Sequence, residues 1–243
     1  MGQIFVVGLG PGDISCMTYK AKKAIEMSDT VIGYSVYTDL VKDLCAQKQV
    51  IVSSMHKEKE RCMKCIELAR QGKTVALVCS GDAGVYGMAS PMLEIAAQEG
   101  FEDVTVIPGV TAALSGAALL GAPIGHDFCV ISLSDLLTPW EIIEKRLRHA
   151  AEGDFCIVLY NPSSHRRREH LAGACTVMST IIPPDRPCGY VKNIGRNETE
   201  TKICSFSELK DEQVDMFTTV FIGNSLTKRE GDRLITPRGY AIG

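Results

Sequence analysis

The feature that most restricts the fold of this 243-residue chain is a regular alternation. Short apolar runs of strand length end in turns of glycine and other small residues, and stretches with helical spacing separate them. In the first half the apolar runs fall at residues 4–7, 30–32, 50–53, 74–79 and 104–107. The helical stretches fall at 18–28, 37–44, 58–71 and 86–98, followed by an Ala-rich one ending at Leu120. Ala21, Ala24 and Ile25 recur at i, i+3, i+4, and Gly72 stands where a left-handed residue ends a helix. Strands that alternate with helices are joined by crossovers, so the sheet they form is largely parallel.

The second half starts differently. Gly121-Ala122-Pro123-Ile124-Gly125 reads as a hinge, giving units 1–122 and 123–243. Beyond it, a strand at 128–133 leads to Thr138-Pro139-Trp140-Glu141, which has the spacing of a capping box: Thr138 as N-cap, Pro139 at N1 and Glu141 at N3. A strand at 155–160 empties into Asn161-Pro162-Ser163-Ser164, a helix covers 169–180, and strands follow near 188–192, 201–205 and 218–222. With little helix between those last strands, this sheet is expected to be mixed. The fold class is therefore α/β in two lobes, with a mainly parallel N-terminal sheet and a mixed C-terminal one.

Charge and composition remove several functions. Lys and Arg total 26 against 29 Asp and Glu, a net charge of −3, which suits neither a nucleic-acid wrapper nor a coat for anionic lipid. Met1-Gly2-Gln3-Ile4-Phe5 lacks the basic start of a signal peptide, and the weakly polar stretch 110–125 is broken by Thr111, Ser115 and Pro123. A bilayer span needs about 20 apolar residues. A cytoplasmic protein without membrane or nucleic-acid partners is expected. Of the ten cysteines, most lie in apolar runs such as Phe128-Cys129-Val130-Ile131, where Cys acts as a small core residue. Cys62-Met63-Lys64-Cys65 has metal-like spacing but no second Cys or His pair follows it, so no metal is expected.

In open parallel sheets, ligands bind beyond the carboxyl ends of strands. Four small-residue exits qualify: residues 8–13, 80–84, 108–112 and 160–164. Gly8-Leu9-Gly10-Pro11-Gly12-Asp13 has Asp13 where a dinucleotide fingerprint needs its third glycine, and a carboxylate there repels pyrophosphate. Gly72-Lys73-Thr74 mimics the end of a P-loop, but it precedes a strand instead of following one. In Ser80-Gly81-Asp82-Ala83-Gly84, Asp82 suits ribose hydroxyls or an ammonium group. Pro108-Gly109-Val110-Thr111-Ala112 adds backbone groups and a hydroxyl at a helix start. Together they describe a pocket for a small polar ligand without phosphate.

These motifs resemble the tetrapyrrole (class III) S-adenosylmethionine methyltransferases. The resemblance rests on residues 8–13, on Ser80-Gly81-Asp82-Ala83-Gly84-Val85-Tyr86-Gly87 and on residues 107–115. Residues 121–128, 131–141 and 159–162 and the terminal Thr236-Pro237-Arg238-Gly239-Tyr240 are similar to one branch, the precorrin-3B or cobalt-factor III C17-methyltransferases of cobalamin biosynthesis. The resemblance implies a homodimer that holds S-adenosylmethionine folded in the cleft between lobes and acts on a tetrapyrrole. It assigns Leu9, Gly10, Pro11, Asp82, Val85, Tyr86, Thr111 and Ala112 to the donor, with Asn161 on the adenine side. Asp13 and the loop carrying Ser132, Ser134 and Asp135 would face the macrocycle.

A sulfonium is already an activated electrophile, so methyl transfer needs chiefly proximity and alignment. The implied ring contraction needs proton transfers as well, and His126 and Asp127, with Asp13, are the acid/base candidates. In His165-Arg166-Arg167-Arg168-Glu169-His170, the three arginines Arg166, Arg167 and Arg168 are candidates for pairing with substrate carboxylates; the same run also reads as an ordinary solvated helix start. The competing functions are methylation at another corrin carbon or on uroporphyrinogen, a nucleotide-binding oxidoreductase, and a donor-binding scaffold without turnover.

Overall fold

Strands Ile4–Gly8 and Val75–Cys79 are buried at every position, the condition of strands covered on both faces. They lie in a computed structural model that describes residues 2–54, 56–164 and 168–240. Within it the chain divides into two compact units, Met1–Ala112 and Ala113–Gly243.

The first unit runs β1 (Ile4–Gly8), α1 (Tyr19–Met27), β2 (Thr30–Tyr34), α2 (Ser35–Thr38), β3 (Gln49–Ser53), α3 (Glu58–Arg70), β4 (Val75–Cys79), α4 (Ala89–Gln98) and β5 (Val104–Ile107). All five strands pair in parallel, in the order β3-β2-β4-β1-β5. Alternate side chains serve opposite faces. Ile4, Val6, Leu77 and Cys79 pack with Cys62, Cys65 and Ile66 of α3 and Met92 of α4. Phe5, Val7, Ala76 and Val78 pack with Ala21, Ala24 and Ile25 of α1. The two helices that leave neighbouring strands β1 and β4 thus cover opposite faces. Their exits diverge there, and such a divergence opens a ligand crevice at the carboxyl edge.

The second unit takes in α5 (Ala112–Leu120, less its first residue), β6 (Gly121–Ala122), β7 (Phe128–Ser132), α6 (Trp140–Glu152), β8 (Cys156–Tyr160) and α7 (His170–Met178). It continues through β9 (Pro187–Lys192), β10 (Glu200–Ser205), α8 (Phe206–Leu209), β11 (Thr218–Ile222), β12 (Lys228–Glu230) and β13 (Arg233–Ile235). Its main sheet has the order β10-β9-β11-β8-β7; β7 and β8 are parallel and the other pairs antiparallel, the mixed sheet expected from the sequence. A small sheet joins β12, β13 and β6.

Three local expectations change. The helix expected from residue 86 begins at Ala89, because Tyr86 adopts a left-handed φ of 54° that a helix cannot contain. Residues 37–44 split between α2 and a 3₁₀ segment, Asp39–Cys45. The capping box at residue 138 does not form. Pro139 is itself the N-cap of α6, extended at ψ 142°, and no side chain caps the helix. Thr138 sits one residue too early to reach the amides it would need.

Eight of the ten cysteines are buried, Cys129 is half-buried and Cys16 is exposed. Burial pushes the Cys62, Cys79 and Cys204 thiols up to about 11 and Cys175 to about 12, so few of them are thiolates at neutral pH. A colorimetric thiol titration of the native protein is therefore expected to show one fast-reacting group, lost in Cys16→Ser; several fast groups in that variant would contradict the burial pattern. Among the described residues no helix is long and apolar enough to cross a membrane.

Candidate functional site

Strand exits of the first unit carry the densest set of sequence-predicted residues. Gly10 donates its amide to the Gly81 carbonyl at 3.0 Å and accepts from the Gly81 amide at 2.7 Å, which joins the β1 exit to the β4 exit. Both glycines have positive φ, 81° and 67°, a conformation that costs a side-chain-bearing residue energy. Asp82 then binds two amides: Gly84 donates to Oδ1 at 2.8 Å and Gly109, on the β5 exit, donates to Oδ2 at 2.9 Å. One carboxylate thus ties the exits of β4 and β5 together. A carboxylate offers about four acceptor positions, so Asp82 retains capacity for ligand hydroxyls or an ammonium group.

The other donor candidates surround this tie unequally. The Leu9 side chain is buried in the α1-side core, so only its backbone is available to a ligand. Pro11 is buried and Val85, Thr111 and Ala112 are half-buried. Tyr86 is exposed despite its left-handed backbone, an arrangement costing about 1–2 kcal/mol for an L residue. Strain of this kind collects at ligand-binding positions. Asp13 caps the 3₁₀ turn Ile14–Cys16; hydrogen bonds from the Ser15 side chain and amide hold its carboxyl below the usual range. At neutral pH it is a carboxylate and cannot donate a proton.

A second cluster forms in the C-terminal unit, where β7 and β8 end side by side with Ser132 opposite Tyr160. Asn161, also left-handed at φ 53°, donates from Nδ2 to Ser132 Oγ at 2.9 Å, and the Ser134 amide donates to the same oxygen at 3.2 Å. Asp135 Oδ2 lies 3.6 Å from His170 Nε2. The His170 ring stacks on Trp140, with centroids 4.8 Å apart and planes 22° from parallel. Ser132, Ser134, Asp135 and Asn161 are thus brought together, and His170, read from sequence only as the end of a basic run, joins them. No sequence signal singled it out: it stands ten residues beyond the end of β8, as the first residue of α7.

His126 and Asp127 stand apart from that cluster. They precede β7, at its opposite end from Ser132, with the Asp127 amide donating to His126 Nδ1 at 2.9 Å and Asp127 side chain mostly exposed. Arg168 is exposed in the turn before α7; Arg166 and Arg167 lie outside the described residues. Among the described residues no group of His, Cys, Asp and Glu is arranged to hold a metal ion.

Comparison with known proteins bears on this geometry. The profile of the family Tetrapyrrole (Corrin/Porphyrin) Methylases matches residues 3–210. A probable cobalt-factor III C(17)-methyltransferase of Salmonella typhimurium is 46% identical, the match covering 98% of this chain and 99% of the relative. A precorrin-3B C(17)-methyltransferase of Sinorhizobium sp is 37% identical, over 99% and 98% of the two chains. The crystal structure of the methyltransferase CobJ superimposes with a TM-score of 0.91 at 35% identity, covering 98% of this chain and all of that one. The chain belongs to the tetrapyrrole (corrin/porphyrin) methylases.

Proposed function

We propose that this protein transfers the methyl group of S-adenosylmethionine to C17 of a corrin precursor, precorrin-3B or cobalt-factor III, with ring contraction to the corresponding precorrin-4. The observation that carries the reading is full-length identity of 46% to a relative named for that reaction. The site agrees with the donor's chemistry. The Gly10–Gly81 pair and the Asp82 tie present backbone groups and an acceptor carboxylate at a strand edge, which suits ligand hydroxyls or an ammonium group.

In the transfer, the S–CH3 bond breaks with its electron pair left on sulfur, and a C–CH3 bond forms with a pair from the macrocycle carbon. The task of the chain is alignment, which can supply several orders of magnitude in rate. Leu9, Gly10, Pro11, Asp82, Val85, Tyr86, Thr111 and Ala112 hold the donor in this reading, with Asn161 contributing from the second unit. Ser132, Ser134 and Asp135 meet the macrocycle, and Arg166, Arg167 and Arg168 meet its carboxylates. His126, Asp127 and Asp13 are proposed to serve the contraction; of the three, Asp13 is restricted to accepting a proton or stabilising positive charge. The family resemblance further supports a homodimer, which sedimentation equilibrium tests directly.

The decisive experiment incubates the protein with isotopically labelled donor and either metal-free or cobalt-loaded substrate. The expected result is one labelled methyl group on the macrocycle, with the optical change of a contracted ring, for at least one form. Donor binding with methylation of neither form, or methylation without label at C17, overturns the proposal. A methylated uroporphyrinogen would instead favour the alternative within the family.

A further inference from the structure

Arg61, in α3, is 5% exposed, and it is the one charged side chain in the buried set among the described residues. Its hydrogen-bond partners among the described residues are all uncharged. Nε donates to Ser53 Oγ at 2.7 Å, Nη2 to the Ser54 carbonyl at 3.1 Å, and Nη1 to the Met88 thioether at 3.5 Å. Among the described residues no carboxylate lies within ion-pair distance of it. Glu58 and Glu60 on the same helix are exposed, with Glu60 paired to Lys57. Both oxygens of Asp82 are held by amides. Arg186, the comparably sheltered cation of the other unit, shows the usual solution: it pairs with Asp154 at 3.5 Å.

A buried guanidinium without an anion is heavily penalised, and a neutral side chain of similar length could pack against Ser53, Ser54 and Met88 without that penalty. Position supplies the reason for keeping the charge. Ser53 ends β3, and Met88 closes the loop between β4 and α4, so Arg61 reaches across the carboxyl edge that also carries Asp82. Ligands of open parallel sheets bind along that edge. Nη1 has a thioether as its partner, a weak acceptor, and Nη2 has the carbonyl of Ser54, an exposed residue. These two nitrogens form the fork that takes a carboxylate in two parallel hydrogen bonds.

We propose that Arg61 is the receptor for a carboxylate of a bound reactant, which supplies the counter-ion that none of the described residues provides. The inference rests on the proposed function for its two candidate sources: the amino-acid carboxylate of the methyl donor and an acidic side chain of the macrocycle.

The test compares wild type with Arg61→Met and Arg61→Lys by thermal melting and by calorimetric titration. The probes are S-adenosylmethionine, its decarboxylated analogue, the macrocycle and its methyl ester. Arg61→Met is expected to melt no lower than wild type and to bind one carboxylated reactant about 10–100-fold more weakly. The analogue of that reactant lacking the carboxylate should bind both proteins alike, which identifies the source. Arg61→Lys keeps the charge but not the fork, and an intermediate loss is expected. Unchanged affinity of Arg61→Met for both carboxylated reactants overturns the inference while leaving the proposed function standing. If Arg61→Met does not fold, wild-type affinity of Arg61→Lys for both reactants overturns it equally. Wild type that binds neither reactant removes the proposed function and this inference together.

Discussion

Gly109→Ala is expected to lower both stability and donor affinity, although it adds a single methyl group. A Cβ built at Gly109 would overlap the Gly81 carbonyl oxygen and stand 2.6 Å from the carbon and oxygen of Gly8. These are backbone atoms, so no side-chain rotation relieves the overlap. The backbone at Gly109 is not left-handed, and the whole effect is therefore steric. To admit the methyl group, the β5 exit must move away from the exits of β1 and β4, stretching the 2.9 Å bond from its amide to Asp82. Overpacking of this kind costs about 1–3 kcal/mol, which in a chain of this size lowers Tm by roughly 3–10 °C. Donor affinity should fall by at least about tenfold, since the displaced loops are those proposed to bind it. Gly100→Ala is the control: its φ is 62° with nothing within 4 Å, so it carries backbone strain without a clash. A Gly109→Ala protein with wild-type Tm and donor affinity would show that the three exits are not packed as closely as described.

The same exits mark how far sequence alone could be read. Strands were legible because β1 and β4 are short, uniformly apolar and end in glycine-rich turns, and Asp82 stood out as an acid at such a turn. Its attachment to Gly109 was not legible, for that amide lies 27 residues further along the chain and only the order β3-β2-β4-β1-β5 brings it near. Local pattern misled at Tyr86 as well. Helical spacing continues back to it, yet the Ala89 amide bonds to the Ala83 carbonyl and the loop remains irregular up to Met88. Arg61 was hidden for a different reason. In Lys57-Glu58-Lys59-Glu60-Arg61 it looks like one more solvated charge, and only the packing of Ser53, Ser54 and Met88 around it separates it from its neighbours. His126 and Asp127 show the converse: a promising pair in sequence that the fold sets at the far end of β7 from the Ser132 cluster.

Asp82→Asn is the second substitution with a large expected effect, and it separates two ways the carboxylate can act. The amide side chain matches the carboxylate in shape but has one oxygen. If that oxygen accepts from Gly84, the NH2 group faces the Gly109 amide, and two donors oppose each other where a charged bond of 2.9 Å stood. Losing a hydrogen bond to a charged group costs about 1.5–3 kcal/mol, or about 10–100-fold in affinity if the loops bind donor only when joined. Should Asp82 act through loop geometry, S-adenosylmethionine and its neutral-sulfur product should weaken equally in calorimetric titration. Should its charge also favour the sulfonium, the donor should weaken more than the product. Binding of both within about twofold of wild type would remove Asp82 from the site altogether. Because Asp82→Asn and Gly109→Ala both act on one hydrogen bond, their double variant should lose less affinity than the two single losses combined. Simple additivity would mean that the Asp82–Gly109 bond does not transmit either effect, and that each loop meets the donor independently.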